Sequence, residues 1–472
     1  MKRHKYFPVL VMLSLAGITS CKKFLEVENP AHQIVASDAF GSNQSAASVM
    51  SGIYTQFAKA GSTQGGGSIS LNCGLSADEF SYPAKDAFFL NNALGDGFWP
   101  ELYKTIYNTS NTIEKLQDAT SQMLTVNVKK QLTAECKFLR AWCYFYLVNL
   151  YGDVPLLTHS RYFENAQIPR TPVAEVYGQM VKDLEEAKAE LDDEYLAWDA
   201  KTKTTERSRP NRSAASALLA RVYLYQKKYS DAEKESTEVI ARMQQYKLHI
   251  ELDSVFLKES KEAIWQLQPD DPSSNQPNTK DAEAFLGYYW DGTINHIAGR
   301  TWISKALLNS FEPGDLRRTF WVGEGIDTVA DRFPYKYQQY TINAPQKEYL
   351  MMLRLSEQYL IQAEALAARG DMVNALKSLN AVRKRAGLGD FSDTDPAAFA
   401  AALLKERRTE LFSEWGHRWF DLKRLGLIDA VMSQAALVKG TSWNANKAWF
   451  AIPYADLKAN GQLKQNNGYP AP

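Results

Sequence analysis

Much of the chain shows the spacing of amphipathic helices, with apolar residues recurring every three or four positions. The pattern predicts one helix over residues 100–117 and another over residues 131–151. Thr171-Pro172 opens a third, because proline is tolerated in a first helical turn, where its missing N–H removes no bond. The predicted buried faces are Leu102, Ile106, Ile113 and Leu116; Leu132, Phe138, Leu139, Trp142, Phe145, Tyr146 and Leu150; and Val173, Val176, Met180, Leu184 and Ala187.

Two later segments repeat one another. Residues 214–240 (AASALLARVYLYQKKYSDAEKESTEVI) and 356–382 (SEQYLIQAEALAARGDMVNALKSLNAV) superpose without a gap, so that Ala220 falls on Ala363 and Ala232 on Ala375. Two small residues, one in each helix of a pair, are typical of tetratricopeptide-type packing. Because one pair cannot bury its own apolar face, the chain is predicted to be all-α, with tetratricopeptide-like helix pairs stacked into a superhelix. The alternative is a chance likeness between two amphipathic helix pairs.

Two stretches interrupt the helical pattern. Residues 61–72, with three consecutive glycines, predict a flexible loop, and residues 269–301, with three prolines, predict a long surface excursion. Long loops in a compact chain are often functional. No linker divides the chain, so residues 21–472 are predicted to form one domain with loop insertions at about 61–98 and 269–345.

The N-terminus has the features of a secretory leader. Lys2, Arg3 and Lys5 precede an apolar run that ends near Ile18, and this run is shorter than the roughly 20 residues needed to cross a bilayer. Residues 1–20 are therefore predicted to be a signal peptide. Cys21, directly after Thr-Ser, resembles the lipidated cysteine of a bacterial lipobox, and several acyl chains on one cysteine give stable anchoring. An ordinary leader followed by an incidental cysteine is the alternative.

The charge balance argues against a nucleic-acid partner. The chain has 54 Lys and Arg against 54 Asp and Glu, and removal of the leader takes away three basic residues and no acidic ones. A slightly negative mature protein is not suited to bind nucleic acid or an anionic membrane face as its main partner.

The remaining cysteines leave one question open. Cys136 and Cys143 are seven residues apart on a predicted helix, which separates their Cα atoms by about 10 Å and excludes a disulfide between them. Cys73 could pair with either one. The favoured interpretation is that all three are buried or half-buried free thiols.

Several phrases, in order along the whole chain, resemble the SusD/RagB family of outer-membrane nutrient-binding lipoproteins. They are residues 20–25 (SCKKFL), 99–103 (WPELY), 134–158 (AECKFLRAWCYFYLVNLYGDVPLLT), 354–388 with LNAVRKRAG at its end, 406–424 (ERRTELFSEWGHRWFDLKR) and 452–466. Residues 195–212 and 269–345 match little of the family pattern, so ligand specificity is expected to depend on them.

The resemblance implies a fold, a location and a partner. The helix pairs would form a right-handed superhelix, and a loop-rich face would carry the ligand site. The protein would sit on the outer face of the outer membrane, held by lipid on Cys21. It would cap a SusC-type TonB-dependent transporter and close over a captured oligosaccharide or peptide. No cofactor is implied.

The segment 406–424 is rich in charge and admits two interpretations. Paired carboxylates with His417 would suit general acid–base catalysis. The favoured interpretation is an ion-pair network, with i,i+3 neighbours such as Arg407 and Glu410, Glu414 and His417, or Arg418 and Asp421, above a layer of Trp415, Trp419 and Phe420.

Other catalytic and metal signatures are missing from the sequence. It contains no G-x-S-x-G motif, no P-loop and no EF-hand loop, and its histidines lack the spacing of a zinc site. Asp78-Glu79 could imitate a glycosidase pair, but adjacent loop residues usually point apart. No metal site, catalytic residue or enzymatic activity is predicted.

Aromatic residues in the two insertions are the predicted ligand contacts. Sugar rings stack on aromatic side chains while amides and charged groups bind the hydroxyls, which is a general recipe for small-ligand sites. The candidates are Phe80, Tyr82, Phe88, Phe89 and Asn91 in the first insertion, and Tyr288, Tyr289, Trp290, Asp291 and Arg300 in the second. Trp99 is predicted to be core instead.

The sequence therefore favours a surface lipoprotein that binds an oligosaccharide and passes it to a transporter. Three alternatives are a peptide-binding member of the same family, a tetratricopeptide scaffold that binds only proteins, and, less favoured, a surface glycoside hydrolase.

Overall fold

The computed structural model describes residues 39–81, 85–92, 97–269, 277–286, 289–290, 293–294, 301–324, 332–339, 341 and 343–470. The α-helices in this part of the chain are α1 (Asn43–Lys59), α2 (Ile69–Ser76), α3 (Phe98–Asp118), α4 (Val126–Tyr151), α5 (Tyr162–Asn165), α6 (Val173–Glu190), α7 (Arg212–Tyr225), α8 (Tyr229–Ile240), α9 (Asp281–Leu286), α10 (Lys305–Leu308), α11 (Leu316–Phe320), α12 (Leu355–Ala368), α13 (Met372–Arg385), α14 (Pro396–Leu411), α15 (His417–Arg424), α16 (Ile428–Lys439) and α17 (Tyr454–Ala459).

Short antiparallel strand pairs supplement the helices. Their strands are β1 (Phe80–Ser81), β2 (Tyr195–Leu196), β3 (Lys203–Thr204), β4 (Ala263–Leu267), β5 (Tyr289–Trp290), β6 (Thr293–Ile294), β7 (Trp302–Ile303), β8 (Val322–Glu324), β9 (Arg332–Pro334) and β10 (Leu350–Arg354). The pairs are β1 with β7, β2 with β3, β4 with β10, β5 with β6 and β8 with β9. The pair β4–β10 is buried throughout and leads directly into α12.

The long helices form a continuous stacked array. Helix α3 packs on α4, α4 on α6, α6 on α7, α7 on α8, α8 on α12 and α12 on α13. The repeated pairs of the sequence are α7–α8 and α12–α13, and the four matched alanines (Ala220, Ala232, Ala363 and Ala375) are fully buried between their helices. The prediction of an all-α, tetratricopeptide-like array is confirmed.

The predicted helices are also confirmed, with small shifts at their ends. Helix α4 begins five residues before the predicted position, at Val126. Pro172 is the N-cap of α6 rather than its first residue, so the helix begins one position later than proposed. Trp99 is buried as predicted, and its ring lies 5.1 Å from that of Tyr151.

The prediction of a flexible loop over residues 61–72 is wrong. Helix α2 begins at Ile69, where the Ser68 hydroxyl accepts the Leu71 N–H as an N-cap. Ser62, Thr63 and Gln64 are buried. The glycine-rich stretch forms a 3₁₀ turn. Glycine is favoured at position 65 because its φ of +82° is a backbone conformation that residues with a side chain rarely adopt.

The prediction of a surface excursion over residues 269–301 is wrong for its described part. Helix α9 buries Asp281, Ala282, Phe285 and Leu286. Further along the second insertion, Leu307, Trp321 and Phe333 are buried in the main core. The prolines suggested exposure, but the two that the structure describes, Pro269 and Pro277, are buried.

The three cysteines within the described residues are buried free thiols. Burial raises the thiol pKa of Cys73, Cys136 and Cys143, because the thiolate would lose its hydration. The favoured interpretation of the sequence is confirmed, and neither disulfide with Cys73 forms.

The leader and Cys21 lie outside the described residues, so the signal peptide and the lipid anchor stay predictions, as does the single-domain division. Across the residues that the structure describes, no helix combines the length and the hydrophobicity that a membrane crossing requires.

Candidate functional site

The two insertions meet on one face of the helix array. Strand β1 of the first insertion pairs with β7 of the second, Phe80 opposite Ile303. The Ser304 hydroxyl donates to the Asp78 carbonyl over 2.6 Å, next to this strand pair. At the other end of the contact the Gly65 N–H donates to the Asp281 carboxyl over 2.8 Å. Segments more than two hundred residues apart in sequence thus form one surface, here called the junction.

A cavity of about 360 Å³ opens at the junction. Its walls come from the end of α1, the glycine turn, and α9, with Lys59, Asp86, Lys280 and Glu283 among the lining residues. Gln64 holds the two walls together: its amide nitrogen donates to the Ala58 carbonyl, and its amide oxygen accepts from Thr279 and from the Lys280 N–H. The result is a preformed polar recess with groups of both charges.

Asp281 is a buried carboxyl beneath this recess. Loss of solvent raises its pKa to about 7, and the Gly65 N–H opposes this only in part, because it favours the charged form. Glu283, half-buried on the same helix, has its pKa raised by burial as well.

Replacing Asp281 by asparagine is expected to stabilise the protein at alkaline pH. In the wild type the unfolded chain loses this proton near pH 4 and the folded chain only near pH 7, so the buried carboxyl costs stability progressively as pH rises through that window. Asparagine keeps an oxygen for the Gly65 N–H. We expect a gain on the order of 2 kcal/mol at about pH 8 and none at about pH 4, measured by urea unfolding. An equal effect at both pH values would contradict this account.

A second cavity, of about 410 Å³, lies beside the hairpin β2–β3. It is lined by Ser51, Tyr54 and Thr55 of α1, by Trp198 and Arg209, and by Gln268 and Pro269 at the start of the second insertion. Trp198 projects at the hairpin tip and is 60% exposed. Trp198 is not among the predicted ligand contacts, although it lies in 195–212, a segment expected to carry specificity.

Comparison with known proteins decides the family. A family model described as starch-binding and associating with the outer membrane matches residues 23–224, and the model of the SusD family matches residues 317–469. The two matches do not overlap: the first ends within α7, and the second includes α12 and α13. The chain belongs to the SusD/RagB family.

Individual relatives agree with this assignment. SusD-like protein P2 of Formosa agariphila is 28% identical over 431 residues, which cover 80% of this chain and 81% of the relative. Surface glycan-binding protein A of Bacteroides thetaiotaomicron has a TM-score of 0.75 at 22% identity, covering 91% of this chain and 99% of its own. A laminarin-binding SusD-like protein has a TM-score of 0.69 at 24% identity, covering 91% and 100%. At such identities the structural likeness shows the SusD fold.

Within this SusD fold, several predicted ligand contacts prove to be buried. Phe80 and Phe89 belong to a small apolar cluster with Leu71, Leu75 and Phe285, and the Phe80 and Phe285 rings are 5.7 Å apart. Asn91 is buried too, and its amide donates to the Ser76 carbonyl over 2.7 Å. The expectation that these three side chains are exposed is wrong, because β1 and the turn after it fold onto α2.

The other candidates keep the status of predictions. Phe88 is half-buried, with its ring 5.6 Å from that of Phe450. Tyr82, Tyr288, Asp291 and Arg300 lie outside the described residues. Tyr289 and Trp290 form β5, paired with β6, and the structure describes the backbone of this hairpin only.

The charged segment 406–424 is a buried network, as favoured from the sequence, but its partners are long-range. Glu410 pairs with Arg317, Arg354 and Arg385, and Glu414 pairs with Lys336. The predicted i,i+3 pairs do not form the network, because Arg407 pairs with Asp421 and Arg418 pairs with Asp78 instead. The aromatic layer of Trp415, Trp419 and Phe420 is buried as predicted.

The groups considered for catalysis, Asp78, Glu79 and His417, are buried or half-buried. The Asp78 carboxylate binds Arg408 and Arg418 at 2.8 Å each. Burial raises the pKa of its neighbour Glu79 to about 8, and burial together with Arg221 and Arg407 lowers that of His417 well below its usual range. Within the described ranges, no three His, Cys, Asp or Glu side chains gather closely enough to hold a metal ion.

Proposed function

We propose that this SusD/RagB-family protein binds a glycan at the cell surface and passes it to a SusC-type TonB-dependent transporter. The observation that carries the proposal is the junction, where two sequence-distant insertions build a preformed recess on a rigid helical frame. The names of the structural relatives support a carbohydrate ligand, since one is called laminarin-binding and another glycan-binding. The matched description of starch binding with outer-membrane association points the same way.

The proposed ligand contacts at the junction combine aromatic and charged residues. Tyr289 and Trp290 lie on the β5–β6 hairpin, which follows directly after α9, one wall of the recess. Aromatic rings beside polar and charged side chains suit a sugar, whose ring presents apolar C–H faces and polar edges. Tyr82, Tyr288, Asp291 and Arg300 complete the proposed contacts.

The location and partner follow from the N-terminus and the family. Lipid on Cys21 would hold the protein at the outer membrane, and the acidic residues after Lys22-Lys23 fit the surface-exported members that this segment resembles. A non-enzymatic role is proposed because the charged groups near the C-terminus bind one another in ion pairs.

Affinity electrophoresis on gels with laminarin or soluble starch tests the proposal. We expect the wild type to be retarded by at least one glycan, with no sugar released into solution. The double variant Tyr289→Ala/Trp290→Ala should lose about tenfold or more in affinity, since two aromatic platforms disappear. Phe163→Ala is the matched control, because this ring is 87% exposed on α5 and lines neither cavity.

The outcomes separate the alternatives. Lack of retardation on a broad glycan panel would overturn the carbohydrate proposal in favour of a peptide ligand or a protein-only scaffold. Release of sugar would instead identify a hydrolase. Equal binding by the wild type and the double variant would move the site away from the β5–β6 hairpin.

A further inference from the structure

The tip of the hairpin β2–β3 presents an indole beside a cavity. Exposed apolar side chains are common singly, so exposure alone does not mark a site. Here the 60% exposed Trp198 lines a cavity of about 410 Å³, whose opposite wall is α1. The rim also carries exposed polar side chains, including Thr55, Glu206 and Gln268. A flat apolar ring beside hydrogen-bonding side chains favours the binding of a small polar ligand.

The hairpin tip is held in one conformation. The Asp199 carboxylate accepts the Lys201 N–H over 3.0 Å and the Thr202 N–H over 2.8 Å, and it also accepts the Thr202 hydroxyl. At the base, the Tyr195 hydroxyl donates to the Ile264 carbonyl of β4. A ligand that stacks on Trp198 would therefore lose little affinity to ordering of the loop.

A buried ion pair fixes the backbone of Trp198 itself. Arg209 donates to the Trp198 carbonyl over 2.9 Å, and the same guanidinium pairs with the fully buried Glu135 at 2.9 Å. Glu135 also accepts the Tyr54 hydroxyl over 2.8 Å, so the wall of the cavity and the tip of the hairpin share one anchor. Because buried hydrogen bonds fix its backbone, Trp198 differs from a tryptophan that is exposed by chance and free to move.

We infer that Trp198 and its cavity form a second carbohydrate subsite, distinct from the junction. The inference rests on the proposed function, because it adds a contact for the same class of ligand. A sugar ring would lie on the indole with its C–H face and place its hydroxyls against the polar rim.

Both cavities are lined by residues of α1, and this shared wall indicates how long a ligand must be to reach both. Ser51 and Thr55 line the Trp198 cavity, and Lys59 lines the junction cavity. These residues are four apart and lie near one another on α1, so the nearest α1 residues of the two cavities, Thr55 and Lys59, are separated along the helix by about 6 Å. The ligand that occupies both is an extended oligosaccharide running along α1.

A third cavity, of about 760 Å³ near the C-terminus, differs from the Trp198 cavity because its aromatic and charged side chains bind one another or the backbone. Its indole, Trp449, has the Lys423 ammonium 3.5 Å from the ring centre. The Arg170 guanidinium in its wall binds the carbonyls of Tyr151 and Lys464, so this side chain holds the C-terminal segment in place.

The test compares Trp198→Ala with Phe163→Ala in the full chain. The probe is the polysaccharide, laminarin or starch, that retards the wild type, together with short and long oligosaccharides made from it. Calorimetry should show about tenfold weaker binding of the long oligosaccharides to Trp198→Ala, with the shortest ones unchanged. The control should bind every length as the wild type does. Thermal unfolding of both variants reports that they fold.

Failure of this inference differs from failure of the proposed function. If the wild type binds glycan and Trp198→Ala binds long and short oligosaccharides equally well, the second subsite does not exist. If Phe163→Ala weakens binding as much as Trp198→Ala, the effect is not specific to this cavity and the inference is wrong. A wild type that binds no glycan refutes the proposed function itself, and the second subsite with it.

Discussion

Replacing Glu410 by glutamine is expected to cost about 3–5 kcal/mol of the free energy of unfolding. Its carboxylate is fully buried and pairs with three arginines: Arg354 at 2.5 Å, Arg317 at 3.0 Å and Arg385. Burial alone would raise its pKa, but these three guanidinium groups lower it well below the usual range. Glutamine would leave buried positive charge uncompensated, which is the costly way to break such a network.

The same carboxylate makes the free energy of unfolding depend on pH. Because the folded pKa is lowered, the contribution of Glu410 is present above its unfolded pKa near 4 and is lost as pH falls further. Urea unfolding at neutral pH and at about pH 3 measures both effects. The difference between wild type and Glu410→Gln should shrink in acid.

Glu190→Gln is the matched control for Glu410→Gln. Glu190 pairs with Lys130 at 2.9 Å, but both side chains are largely exposed, and exposed pairs contribute about 0–1 kcal/mol. Equal losses in the two variants would mean that burial of the network contributes nothing, contrary to our explanation.

Replacing Trp142 by alanine should destabilise the protein by a comparable amount, about 3–5 kcal/mol. The indole is fully buried at the centre of α4, with the rings of Trp265, Trp415 and Tyr146 each 5.1 Å away. Arg221 lies over the same ring at 5.4 Å. Alanine would leave a large cavity where four aromatic and cationic contacts meet, and the stacked helices cannot close around it without losing their own packing.

Trp198→Ala makes the same chemical change at an exposed position and should alter stability by less than about 0.5 kcal/mol. Thermal and urea unfolding measure the stability of the two variants. The difference between them isolates the contribution of packing, because both variants replace tryptophan by alanine. A small effect at Trp142 would contradict its place at the centre of the core.

The helical array was predictable because its signals are local and periodic. The spacing of apolar residues marks α3 and α4, and the matched alanines mark the repeated pairs. Each of these features depends on residues within one or two helical turns, so the sequence pattern carries it directly. Three of the family phrases, residues 99–103, 134–158 and 354–388, lie largely in regular helices of this array.

The loop-rich face was harder to predict because its structure depends on distant partners. Phe80 and Phe89 lie in a loop by sequence, yet Phe285 and α2 cover them. The three glycines after Gln64 suggested a flexible loop, but the Gln64 amide oxygen accepts hydrogen bonds from Thr279 and Lys280. Local composition does not report such pairings, so an aromatic residue in a loop is no reliable sign of exposure.

The buried network has a consequence for the order in which the chain can fold. Glu262 at the edge of β4 pairs with Arg354 and Arg385, and these arginines in turn pair with Glu410. Charged side chains are stable in a dry interior only when every partner has arrived. We therefore expect the charged groups in the middle of the chain to stay hydrated until α14 is available, even where the first helices of the array have already stacked. Because Glu410 lies in the last third of the chain, a molecule that ends before α14 is expected to leave Arg354 and Arg385 without this partner.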